Sequence, residues 1–164
     1  RTLLAGDGLA LADHEIEIRK AEGGAPYLGI ARANGRTPSV SLSHVGDVAG
    51  AFVAAPSWRG GLDYERVDRV RAPEDFIARI LSDSEKAALP GQRERGMAVT
   101  YWAIKEAAAK AIGTGLTGQP ERFEIAHFAP AQGLARVAHG GITVDTRFAQ
   151  IGDGLCALGF FAAS

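Results

Sequence analysis

RERGMAVTYWAIKEAAAKAIGTG, residues 93–115, is the stretch on which the fold turns. Strong helix formers run through it with Gly96 as the lone breaker, and Gly113-Thr114-Gly115 supplies the glycine stop that helices favour. The spacing predicts the longest helix of the chain over 93–112. Working back, Pro73-Glu74-Asp75 sets proline and two acids at the positive end of a helix running to Leu81. Ser82-Asp83-Ser84-Glu85 fits a capping box and opens a second, short helix that Pro90-Gly91 stops.

On either side of this block the apolar period is two. His14 to Lys20 alternates, AEGGAP turns the chain, and Tyr27 to Ile30 returns as the second strand of a hairpin, both strands expected to be half buried. Ser39 to His44 alternates again; Gly46-Asp47 marks a turn, and VAGAFVAA (48–55) reads as a strand buried on both faces. Pro56 to Gly61 ends it and Leu62 to Glu65 begins the next. Beyond the long helix, Phe123–Ile125, Leu134–Val137, Ile142–Phe148 and Leu155–Phe161 read as four more strands. Residues 1–12 space their leucines as a short or broken helix. The pattern is α+β with mainly antiparallel sheets.

Composition narrows the function classes. The 164 residues suit one domain or two small lobes sharing a core. With 18 basic against 19 acidic residues and a net charge of −1, the chain carries no general basic surface for nucleic acid or anionic lipid. No apolar run reaches the ~20 residues of a membrane helix. A lone cysteine, Cys156, excludes an internal disulfide framework, sits in the apolar run LCALGFF as an inert core residue, and suits a cytoplasmic setting. The chain opens on Arg1 without a leader pattern, so its start reads as a cut inside a longer protein. Gly6-Asp7-Gly8 and Gly152-Asp153-Gly154 are set aside as phosphate loops because neither follows a strand and opens a helix. The histidines at 14, 44, 127 and 139 lack metal-ligand spacing.

Three blocks carry chemistry. In GGLDYE (60–65), Asp63 and Glu65 project from one face of a strand. The pair reads either as a seat for a hard divalent cation or as a solvated edge with Arg66 and Arg69 as counter-charges. In WAIKEAAAK (102–110), Trp102, Glu106 and Lys110 recur every four residues on one helix stripe while Lys105 is turned about 100° away. Glu106 and Lys110 read either as an ordinary surface pair or, with tryptophan beside them, as an acid/base and phosphate-binding face. In SLSH (41–44), Ser41 and Ser43 share one strand face and His44 closes the strand; the histidine reads as structural or as a ligand contact before a turn.

Taken in order, SLSH, GLDYE and WAIKEAAAK resemble the 4′-phosphopantetheinyl transferase superfamily, at intervals that match its larger, surfactin-synthetase-activating type. The resemblance implies two similar lobes related by a pseudo-twofold, each an antiparallel sheet on helices, with residues 1–60 forming the first, trimmed lobe and 61–164 the second. It implies a monomeric enzyme that moves phosphopantetheine from coenzyme A to a serine of an apo acyl- or peptidyl-carrier protein and releases 3′,5′-ADP. Asp63, Glu65 and Glu106 would hold Mg²⁺, or Mn²⁺ in its place; Glu106 would act as base and Lys110 would stabilise phosphate charge and the leaving group. Ser43 and His44 would contact coenzyme A phosphates, and Arg1 and Thr2 would line the nucleotide pocket. Where the larger type often has Gly-Lys-Pro, this chain reads Gly24-Ala25-Pro26. That departure motivates an alternative, a non-catalytic domain that docks carriers inside a multidomain synthase.

Overall fold

Alternating sequence becomes hairpins and the helical block becomes a single layer in the computed structural model, which describes residues 16–22, 24–30 and 37–163. The helix expected over 1–12 and the positions of Arg1 and Thr2 lie outside the described residues. Strand β1 (Ile16–Lys20) pairs antiparallel with β2 (Pro26–Ile30), Ile18 opposite Leu28. The half-burial expected of both holds for β2, where Leu28 is buried, but not for β1, most of which faces solvent. A second hairpin joins β3 (Ser39–Val45) to β4 (Val48–Ala54) through the Gly46-Asp47 turn, where Gly46 takes a φ of +62° that other residues resist. Burial of β4 on both faces is overturned: only Gly50, Phe52 and Ala54 turn inward, and Val48 and Val53 are exposed. Small apolar residues suit one covered face as well as two, and this strand has only one neighbour layer.

Strand β5 (Trp58–Arg66) is longer than its sequence signal and takes in both glycines before Leu62; the lobe boundary expected at residue 60 falls within it. It forms one edge of a five-stranded antiparallel sheet of order β5-β9-β8-β7-β6, with β6 (Glu124–Ala129), β7 (Leu134–His139), β8 (Ile142–Ile151) and β9 (Gly154–Ala162). Three helices follow β5: α1 (Pro73–Ile80), α2 (Asp83–Ala88) and α3 (Arg95–Ile112). The expected capping box is present, with the Ser82 hydroxyl accepting from the Glu85 amide and the Glu85 carboxylate accepting from the Ser82 amide. Gly113 closes α3 in the left-handed conformation, φ +89°. The mixed α and β content and antiparallel sheets agree with the class expected from sequence.

The core lies between α3 and one face of the five-stranded sheet, where Val99, Ile104 and a run of alanines meet Val137, Val144 and Ala157, with Ile77 and Ile80 of α1 closing one side. Helix and sheet approach closely. A Cβ added at Gly61 would stand 2.1 Å from the Ala107 carbonyl oxygen, so only glycine permits this spacing. Inside the core the Lys105 ammonium donates to Glu85 Oε2 at 2.7 Å and to the Pro120 carbonyl at 3.0 Å, and Glu85 Oε1 accepts from the Ile125 amide at 2.7 Å. Both ionic side chains are sealed from water, at 0% and 1% exposure, which requires every one of these partners.

Strands β3 and β5 lie side by side but belong to different sheets, and hydroxyls bridge them. The Leu62 amide donates to Ser41 Oγ at 2.9 Å and the Tyr64 amide to Ser43 Oγ at 3.0 Å, while Ser39 Oγ donates to the Trp58 carbonyl at 3.2 Å. Three alternate serines thus satisfy three outward backbone groups of an edge strand that, among the described residues, has no ladder partner on that side.

Candidate active site

Alternation on β5 points Gly61, Asp63 and Glu65 at α3, and the i, i+4, i+8 stripe of α3 returns Trp102, Glu106 and Lys110 toward them. Lys110 Nζ donates to Asp63 Oδ1 at 2.7 Å and to the Leu62 carbonyl at 3.1 Å. Two turns earlier on the helix, Trp102 Nε1 donates to Glu65 Oε1 at 3.2 Å, and the Arg69 guanidinium lies 3.7 Å from Glu65 Oε2. Residues separated by 37 to 47 positions in sequence form one row of charge along the helix–strand seam.

The electrostatics of the row are those of crowded acids. Burial, then the negative field of Asp63, pushes the Glu65 and Glu106 carboxyls above the ordinary carboxylate range, and Lys110 pulls both partly back. Asp63 is buried; its Oδ1 accepts from Lys110 and from Ser43 Oγ at 3.2 Å, whereas its Oδ2 is enclosed with no hydrogen-bond partner among the described residues. A sealed, unpartnered carboxylate oxygen beside two further carboxylates is the donor chemistry of a hard cation. Among the described residues no group of three acids closes into a cage. A cation that takes one or two carboxylates and completes its shell with water and substrate phosphate needs none, so the donor set suits a hard divalent cation in that open mode.

Two hollows flank the row. A cleft of about 1050 Å³ runs between the β2–β3 side and the end of α3, with Glu106, Lys110, Arg59, Tyr27 and Ser41 on its walls and Ala25 at its rim. A smaller recess of about 490 Å³ lies at the other end, with Glu65, Trp102 and Phe76 under Arg66, Arg69, Arg71 and Arg79. Neither Ser43 nor His44 is among the residues lining the cleft: Ser43 is buried with its hydroxyl turned to Asp63 and the Tyr64 amide, and His44 is exposed on the opposite face of β3. Cys156 is half buried, and burial raises its thiol, consistent with an inert residue. The arginine-lined recess had no signal in the sequence beyond scattered arginines. The buried Lys105–Glu85 pair was half visible, in a capping glutamate and a lysine placed off the polar stripe.

The family model described as the 4′-phosphopantetheinyl transferase superfamily matches residues 60–157, more than half of the chain. The chain belongs to this superfamily. Over 131 residues it is 31% identical to a phosphopantetheinyl transferase of Thraustochytrium sp., a match covering 71% of this chain and 44% of that protein. A holo-acyl-carrier-protein synthase of Thermotoga maritima is 48% identical over 59 residues, 35% of this chain and 34% of its own length. Another, from Nitratidesulfovibrio vulgaris, is 34% identical over 87 residues, 49% of this chain and 69% of its own length. The chain spans about a third to a half of the length of several curated relatives it matches. In this superfamily member, the strand–helix seam bearing Asp63, Glu65, Glu106 and Lys110 lies entirely within the matched stretch, whereas β1 to β4 precede it.

Proposed function

We propose that this chain transfers the 4′-phosphopantetheine arm of coenzyme A to a serine hydroxyl of an apo acyl- or peptidyl-carrier protein and releases 3′,5′-ADP. The observation that carries the reading is that Lys110, paired with the buried Asp63, stands with Glu106 on the wall of a large cleft in a member of this superfamily. Asp63 and Glu106, with Glu65 beside them, would hold Mg²⁺ or Mn²⁺, which when bound polarises the pyrophosphate and offsets charge on its oxygens. Lys110 and Arg59 are cations of the cleft wall, and they bind the phosphates of coenzyme A where Ala25 supplies none. Glu106, its carboxyl raised by burial, is the base matched to taking the proton of the carrier serine as its oxygen attacks the β-phosphorus. The P–O bond to 3′,5′-ADP then breaks, and Lys110 stabilises the negative charge on the departing phosphate.

The four arginines around the recess at the Glu65 end give an acidic carrier a complementary landing beside the row, opposite the coenzyme A cleft. We read the chain as two lobes, 1–60 and 61–164, working as a monomer in the cytoplasm; the cleft, walled by β2 and β3 on one side and α3 on the other, supports that division. Incubation with apo carrier, coenzyme A and Mg²⁺ tests the reading: the carrier gains the mass of one phosphopantetheine, and no gain across acyl- and peptidyl-carrier types would overturn it. Alanine at position 25, on the lining of the cleft where the larger type often has lysine, favours as a second reading a carrier-docking domain without catalysis. Titration with coenzyme A separates the two, because the enzyme binds more tightly with Mg²⁺ and a docking domain is indifferent to it.

A further inference from the structure

We infer that Ser43, in the part of the chain ahead of the matched family stretch, is a positioning residue that keeps one oxygen of Asp63 bare for a divalent cation. Its hydroxyl has a single proton. Because the Tyr64 amide donates to Ser43 Oγ at 3.0 Å, that proton goes to the acceptor that faces it among the described residues, Asp63 Oδ1 at 3.2 Å. Oδ1 therefore receives two donors, Ser43 from β3 and Lys110 from α3, and the carboxylate cannot turn about its own axis without losing one of them. Oδ2 is held on the other side, enclosed and without a partner among the described residues. Without Ser43, the carboxylate is free to swing so that both oxygens face the Lys110 ammonium, which occupies the charge a cation would meet. The inference rests on the metal reading of the acid row.

Ser41 supplies an internal control. It is as buried as Ser43 and accepts from a β5 amide in the same way, Leu62 in place of Tyr64, but no carboxylate contact to it is present among the described residues. Mn²⁺ binding by calorimetry on the full chain without coenzyme A or carrier, alongside melting temperature, separates the roles. Ser41→Ala and Ser43→Ala lower the melting point alike, since each leaves one amide without its acceptor. Ser43→Ala alone weakens Mn²⁺ about tenfold, as expected for loss of a hydrogen bond to a charged group. Ser43→Thr, which keeps the hydroxyl on a residue suited to strands, retains the wild-type affinity. Equal Mn²⁺ affinity in the two alanine variants, or a weakened Ser43→Thr of unchanged melting point, overturns the role of Ser43 and leaves the transferase reading standing. Wild-type protein that takes up no Mn²⁺ overturns the metal reading and this role with it. Mn²⁺ uptake with no carrier modification overturns the transferase reading alone.

Discussion

Asp63 has one oxygen held by two donors and one held by none, and flanking carboxyls already resist ionisation. Removing its charge relieves that crowding but gives up the ion pair with Lys110. Asp63→Asn is therefore expected to keep its secondary structure by circular dichroism in chelator while losing Mn²⁺ binding and transfer. Glu106→Gln, which removes the base, lowers transfer by about 10²–10⁴-fold with secondary structure intact, as circular dichroism beside the carrier-mass assay will show. Acidity gives a second handle. Glu65 and Glu106 titrate above the ordinary carboxylate value of about 4.3, so between that value and their raised ones the native state binds more protons than the unfolded chain. Stability in chelator then falls as pH rises through that window, because the native form must give up protons the unfolded form has already lost. A cation binds only the ionised acids, so Mg²⁺ opposes the fall and Glu106→Gln flattens it; calorimetric scans across the window with and without Mg²⁺ read both.

Helix α3 is held in rotation by the Lys105–Glu85 pair and in height by Gly61. Lys105→Met strands a buried carboxylate and is expected to cost about 3–5 kcal/mol in denaturant unfolding. Adding Glu85→Gln recovers part of the loss, because the amide oxygen still accepts from Ile125 while the unpaired charge is gone. Gly61→Ala forces its new methyl into the Ala107 carbonyl and is expected to cost about 1–3 kcal/mol and to slow transfer by lifting Glu106 and Lys110 off β5. At this scale the sequence was a good guide wherever the cause was local. The Ser82 box, the proline at the start of α1 and the Gly113 stop each act within one turn, and each stands where its pattern placed it. It misled at β4, because alanine, glycine and valine are compatible with one covered face or two and only the neighbouring layer decides. It showed Glu85 as a cap and Lys105 off the polar stripe but not that the two meet, since a contact across 20 residues leaves no periodic trace.

Across the whole molecule, three short blocks far apart in sequence proved the best guide to what meets in space: GLDYE and WAIKEAAAK supply the acids and the lysine that join at the seam. SLSH was expected to contact coenzyme A phosphates, and the direction of its hydroxyl toward Asp63 depends on which strand edge lies opposite, which the strand pattern cannot say. The serine bridging between β3 and β5 also sets how the two parts can come apart. A peptide ladder breaks cooperatively, strand by strand, whereas these contacts are single side-chain bonds that release when β3 drifts by an ångström or two. In deuterated buffer the Leu62 and Tyr64 amides, held by Ser41 and Ser43, should therefore exchange through local opening, well before their alternate neighbours Gly61 and Asp63, which face β9 in the sheet. Two fast amides inside an otherwise protected strand would make β5 a built-in gauge of breathing between the hairpins and the sheet.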